Sequence, residues 1–359
     1  MNLTRQTPFT AASAVGAALA IVAGTAVAIV AANDRRPRLE LVRDEASRRV
    51  DVRVNGQPFT SYIWPDTLKK PVLFPIHTAK GTRVTRGFPL EPRAGERVDH
   101  PHHVGLWFNY GDVNGIDFWN NVEGLPADRV PKMGTIRHRS VDKAAGGDGQ
   151  GELEVSSDWL MPDGGVVLRE KTRYVFRAGS DWRSIDRITT LTAGETRVSF
   201  KDNKEGVLGL RVARALEEPT SKPEVFTDAQ GRPTAVPRMD NQGVNGVYLS
   251  SEGKKGGAVW GTRGRWTVLQ GTVEGEPVTL GIFDHPANPG YPTYWHARGY
   301  GLFAANPLGQ AALSDGKEKL DFALEPQGTT TFRHRILIAS STLTPAQVET
   351  RHKEFAAAR

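Results

Sequence analysis

Residues 99–119 carry three of the nine histidines, two of the eight tryptophans and three aspartates of this chain. Imidazoles exchange protons near neutral pH and ligate metals. Carboxylates orient imidazoles or bind hydroxyls, and indoles cover the apolar C–H faces of a sugar ring. A second group downstream repeats these types with Asp284, His285, Tyr291, Trp295, His296 and Arg298. The fixed guanidinium of Arg298 suits a carboxylate, a phosphate or a developing enolate oxygen. The expected chemistry is proton transfer beside a carbonyl or anomeric carbon: epimerisation, elimination or glycoside cleavage. His102 or His103 would pair with His296 as acid and base, with Asp284 and His285 beside them. Trp107, Asp112, Asn114, Asp117, Trp119, Tyr291, Trp295 and Arg298 would hold the substrate.

Local geometry sharpens these roles. Pro101 disfavours helix at His100 and predicts an extended chain there. Successive side chains would then diverge, separating His102 from His103 and pairing His100 with His102 on one face. The same alternation would join Asp117 to Trp119, and His296 to Arg298. Plainer readings stand beside these. Asp112 and Asn114 suit an Asx turn, Trp107 and Trp295 suit a core, Asp284 with His285 an internal ion pair, and Arg298 a structural salt bridge. Glu205, in the polar turn 200–206, is a base only if that turn faces a cleft. A metal held by His102 or His103 with His285 or His296 is an alternative, although no spacing of the H-E-x-x-H kind marks it. A sugar-binding protein without catalysis would use the same aromatics. No phosphate loop, dinucleotide fingerprint or nucleophile elbow is present, so the sequence calls for no cofactor.

Such loops need a scaffold. Residues 49–54 alternate strictly and end in Asn55-Gly56, a hairpin signal. Short strand patterns recur at 72–77, 151–160, 166–176, 183–191, 207–212, 246–250, 258–261, 266–271, 278–283, 300–304 and 330–338, and residues 104–110 read as a buried strand. The 38 glycines and 23 prolines supply turns. This cadence predicts an all-β fold, one large antiparallel sandwich over residues 33–343. Residues 217–238 read as a long loop. Thr344, Pro345 and Gln347 predict a capped helix closing the chain over 344–359, with Val348 and Phe355 facing the sheet.

Composition narrows the function classes. The 359 residues contain no cysteine, which removes disulfides, thiolate nucleophiles and cysteine-type zinc sites. The net charge of +6 is spread as single residues, so no nucleic-acid partner is expected. Residues 11–32 are an unbroken apolar and small-residue run after Arg5. They predict a secretory signal or an N-terminal membrane anchor, and hence a periplasmic or extracellular protein. The expected partner is a small-molecule carbohydrate, with the membrane touched only through that segment.

The runs His100-Pro101-His102-His103 with Leu106-Trp107, Gly111 to Gly115 with Asp117-Phe118-Trp119, and Phe283 to Pro286 with Trp295-His296 and Tyr300 to Pro307 resemble the PmoA-like family over residues 39–340. That family carries the label "methane oxygenase PmoA". A true methane monooxygenase subunit is a membrane protein, and no apolar span follows Ala32 here. The resemblance implies exported bacterial proteins on a sandwich similar to galactose mutarotases, with carbohydrate work. It supplies no catalytic residues.

Overall fold

The computed structural model describes residues 36–358. The expected signal or anchor at 1–32 lies outside them. Two antiparallel sheets form the body. The first runs, from edge to edge, Tyr294–Arg298, Leu302–Asn306, Gly206–Arg211, Leu106–Tyr110, Val72–Ile76, Gln57–Ile63, Arg49–Val54, Arg38–Asp44 and Gly147–Asp148. The second runs Val247–Ser250, Trp266–Val273, Glu276–Asp284, Thr329–Ala339, Trp182–Ala193, Val166–Ala178, Gln150–Leu160 and Thr135–Ala145. Strand alternation sends one set of side chains between the sheets. Phe108, Leu208, Phe303, Trp295, Trp159, Phe332 and Ile336 belong to this main core. The fold is thus all-β, an antiparallel sandwich with a C-terminal helix.

Asn55 and Gly56 both take positive φ (+50° and +77°), the geometry of the expected hairpin turn. Residues 258–261 are not a strand. Gly256–Val259 forms a 3-10 turn entered through Gly256 at φ +54°. The helix Pro345–Ala356 carries the full capping box of Thr344 and Gln347. Its Val348 and Phe355 pack on Trp266, Phe283 and Leu337, on the face of the second sheet opposite the main core. Among the described residues no helix is long and apolar enough to cross a membrane.

The outer face of the first sheet positions the chemistry. The register aligns Trp107, Gly209, Ala304 and His296 in one row across four strands. Arg211, Leu302 and Arg298 form the next row on that face. Trp107, Leu302 and Ala304 pack there with Val72, Phe74, Val104 and Trp119 in a small cluster of their own.

Candidate functional site

Residues 100–103 form a turn, not an extended chain. The His103 amide donates to the His100 carbonyl (2.9 Å), and Pro101 suits the second position of such a turn. His100 takes φ +44°, against the extended conformation usual before proline. The expected divergence of His102 and His103 is therefore corrected. The turn gathers all three rings, with centroids 4.4 Å apart for His102–His103, 4.8 Å for His100–His103 and 5.7 Å for His100–His102.

A buried guanidinium holds this turn. Arg86 donates to the carbonyls of Arg97 (3.2 Å), Asp99 (2.7 Å), His100 (2.8 Å) and His103 (3.1 Å). Asp99 Oδ1 accepts from Arg86 (2.8 Å) and Arg211 (2.6 Å), while Oδ2 accepts from His100 Nδ1 (2.7 Å). Burial opposes the charge on Asp99. Arg211, the His100 hydrogen bond and Arg86 nevertheless keep its carboxyl far below the usual carboxylate range.

Parallel rings rise from the sheet to solvent. At Gly209 a Cβ would lie 2.4 Å from the Trp107 ring, so glycine lets the indole lie on the strand. His103 stacks on Trp107 (5.1 Å, 18°), and His100 stacks on His103 (4.8 Å, 5°). Tyr300 stacks on His100 (4.8 Å, 6°), over the Arg211 guanidinium (5.0 Å). Trp107 is 0% exposed and His103 1%, whereas the His100 side chain is 40% exposed. His100 is the more exposed imidazole of the stack, and Trp107 and His103 lie buried beneath it.

His103 is neutral and committed. Trp119 Nε1 donates to its Nε2 (3.2 Å). Burial first, then His102 and Arg211, hold its pKa well below the ordinary value. His102 falls to about 2 through burial and the neighbouring Lys70, and its Nε2 is buried without a partner. Lys70 donates to the His102 carbonyl (2.9 Å) and is itself lowered to about 7 by burial. His103, Trp107 and Trp119, expected in catalytic or substrate-contact roles, are thus buried side chains, and His102, expected to be catalytic, has its Nε2 buried.

His296 reaches the same face. Its Cα lies roughly 14 Å from that of Trp107, three strand spacings away. Its Nδ1–H donates to the Lys204 carbonyl (2.9 Å), leaving the Nε2 lone pair free. Burial, then Arg298, lower its pKa to about 4, so it is an unprotonated base at neutral pH. Arg298 stands two residues on, exposed, with its guanidinium over Trp260 (5.6 Å). Glu205 faces this site: its Oε2 accepts from Asn120 Nδ2 (2.5 Å), and it is among the charges acting on Tyr300.

The remaining expected residues lie elsewhere or serve turns. Asp117 Oδ1 caps the amides of Trp119 (2.8 Å) and Asn120 (2.9 Å). This Asx turn breaks the assumed alternation, so Asp117 and Trp119 do not share a binding face. Asp112 accepts from the Gly115 amide (2.8 Å), and Asn114 ties Ser199 (2.7 Å) and Arg197 (3.2 Å). Both are turn residues. Trp295 points into the main core at 0% exposure because strand parity places it opposite His296.

Asp284 ends a strand of the second sheet, wholly buried, accepting from Asn288 (2.7 Å) and the Thr293 amide (2.8 Å). Burial raises its pKa to about 7. The His285 Nε2–H meets the Ala358 carbonyl (3.2 Å), and its ring packs edge-on against Phe355. Tyr291 is influenced by Asp284, Arg265 and Glu349, on that same side. The structure thus brings His296 and Arg298 to the outer face of the first sheet and leaves Asp284, His285 and Tyr291 near the helix. Among the described residues no group of three or more His, Cys, Asp or Glu is arranged to hold a metal ion.

Asp99, His100, Arg86, Arg211 and Tyr300 complete this candidate site and are not among the residues expected to form it. Two signals pointed to them. Arg211 ends the apolar run Gly-Val-Leu-Gly-Leu, where a charge demands a partner. Gly209 inside a strand marks close approach of another group.

The chain belongs to the family described as "Family of unknown function (DUF6807)", which matches residues 49–353. This overturns the resemblance to the PmoA-like family. The motifs that carried that resemblance are short and fall on turns and strand faces of this sandwich. No curated protein matches the sequence. Solved structures of similar arrangement include the galactosidase domain of an α-galactosidase-sucrose kinase (10% identity, TM-score 0.39, 84% of this chain and 42% of that one). Another is an α-galactosidase of glycoside hydrolase family 36 from Geobacillus stearothermophilus (12%, TM-score 0.39, 85% and 41%). A third is a galactose mutarotase-like protein from Clostridium acetobutylicum (10%, TM-score 0.35, 85% and 99%). The chain spans less than half the length of the two galactosidases.

Proposed function

We propose that this protein is an exported saccharide-acting enzyme that transfers protons at the outer face of the first sheet. One observation carries the reading. His100 and His296 each use Nδ1 in a hydrogen bond, to Asp99 and to the Lys204 carbonyl, and each keeps Nε2 free on the same face. That is how a protein fixes an imidazole for proton exchange.

His296, unprotonated at neutral pH, takes a proton from a carbon or hydroxyl beside a carbonyl or anomeric centre. Asp99 orients His100 through Nδ1, and His100 returns the proton from Nε2. Arg298 stabilises negative charge developing on oxygen, and the Tyr300 ring offers a face to the sugar. The reaction class is epimerisation, elimination or glycoside cleavage. Export rests on the apolar run at 11–32. Fractionation of cells expressing the chain with and without residues 1–32 checks it.

The test of chemistry is proton exchange. A panel of aldoses, ketoses, uronic acids and glycosides is incubated with the protein in D2O and followed by proton NMR. His296→Ala should lower turnover by about 10²–10⁴-fold with an unchanged circular dichroism spectrum. Turnover retained in that variant would remove His296 from the mechanism. Binding without turnover by the wild type would make this a sugar-binding protein.

A further inference from the structure

A concavity adjoins this face. Asn120 turns toward the site, donating to Glu205 (2.5 Å). Asn121 turns the other way, donating to the Gly134 carbonyl (2.8 Å) and Thr135 Oγ1 (3.3 Å). Asn121 lines a groove of 710 Å³, and a hollow of 360 Å³ continues it. Lys69, Thr135 and Arg137 line both, so the two are one depression along the edge strand Thr135–Ala145.

The chemistry of the lining is specific. Half-buried Trp64 lines the hollow, its indole stacked on His138 (4.0 Å, 29°). Tyr62 Oη meets His138 Nδ1 (3.0 Å) and fixes that ring, so the platform is rigid. Arg137 is exposed, and its side chain makes neither a hydrogen bond nor an ion pair with the described residues. Lys69 stands 3.8 Å from the exposed Glu123. An indole covers the C–H face of a sugar, a free guanidinium fork takes a carboxylate, and amide and ammonium groups take hydroxyls. The groove alone falls in the size range of small-molecule sites, and the hollow lengthens it beyond a single sugar unit.

We infer that this depression is a subsite for the neighbouring units of an oligosaccharide whose terminal unit enters the His100–His296 face, with an acidic unit placed at Arg137. The inference rests on the saccharide reading of that face.

The test uses the full chain on an array of neutral and uronate-containing oligosaccharides, from single units to hexamers. Wild-type affinity should rise with chain length. Trp64→Ala should lower hexamer affinity by about tenfold and leave single units unchanged. Arg137→Ala, at an exposed position that does not threaten folding, should do the same for uronate chains alone. Length dependence that survives both substitutions, or none in the wild type, overturns the subsite. If His100→Ala abolishes binding while both groove variants bind as wild type, the subsite fails and the face stands. A wild-type protein that binds nothing on the array overturns both.

Discussion

The triplet Asp-His-Pro occurs twice in this chain, at Asp99-His100-Pro101 and at Asp284-His285-Pro286, with opposite outcomes. At the first, two arginines meet the aspartate, the carboxyl stays ionised, and His100 keeps one nitrogen free toward solvent. At the second, amide donors meet a fully buried aspartate whose pKa burial lifts to about 7. His285 there spends both nitrogens, accepting from the Ala287 amide (3.1 Å) and meeting the Ala358 carbonyl (3.2 Å). The same letters make a candidate site in one place and a fastening for the C-terminal helix in the other. What separates them is whether a cation accompanies the carboxylate and whether the imidazole has a nitrogen to spare.

The comparison breaks most visibly on large deletions. Trp107→Ala and Phe355→Ala each remove a buried ring and should each destabilise by about 3–5 kcal/mol in urea denaturation. Only Trp107→Ala should also abolish proton exchange by the folded fraction, because His100 loses its footing. Loss of exchange in Phe355→Ala would join the two regions into one site.

The aspartates provide a finer test of opposite sign. Between pH 4 and 7 folded Asp284 holds a proton that the unfolded chain has released. Its contribution to stability is present in acid and is lost as pH rises through about 7. Asp284→Asn removes that decline, so its stability relative to wild type should grow by up to about 1.4 kcal/mol per pH unit. Asp99 behaves inversely. Its contribution is present above the ordinary carboxylate pKa and lost in acid, so Asp99→Asn should be most harmful at neutral pH. Parallel pH profiles for the two variants would refute the distinction. The smallest effect belongs to the helix end: Thr344→Ala should cost about 1 kcal/mol, read as a lower urea midpoint with exchange unchanged.

Periodicity made most strands legible, and the helix was readable from Thr344, Pro345 and Gln347 alone, because capping is decided within one turn. Parity of the strand Tyr294–Arg298 was also readable, so His296 and Arg298 share a face as their spacing implies. Parity could not say which face lies inside, and Trp295 was assigned to the wrong one. Around Pro101 the local rule failed. Arg86, from a distant segment, collects four carbonyls and holds His100 in a left-handed conformation that the dipeptide alone disfavours.

The sequence by itself determined the sandwich, the closing helix and the inventory of acids, imidazoles and indoles, since these follow from patterns a few residues long. Only the tertiary structure decided which histidine faces solvent, which aspartate stays charged and which of the two Asp-His-Pro triplets is open to a ligand. Those outcomes depend on Arg86, Arg211, Gly209 and Lys204, residues remote in sequence from those they govern. Burial and charge pairing act through space, and no short pattern records them.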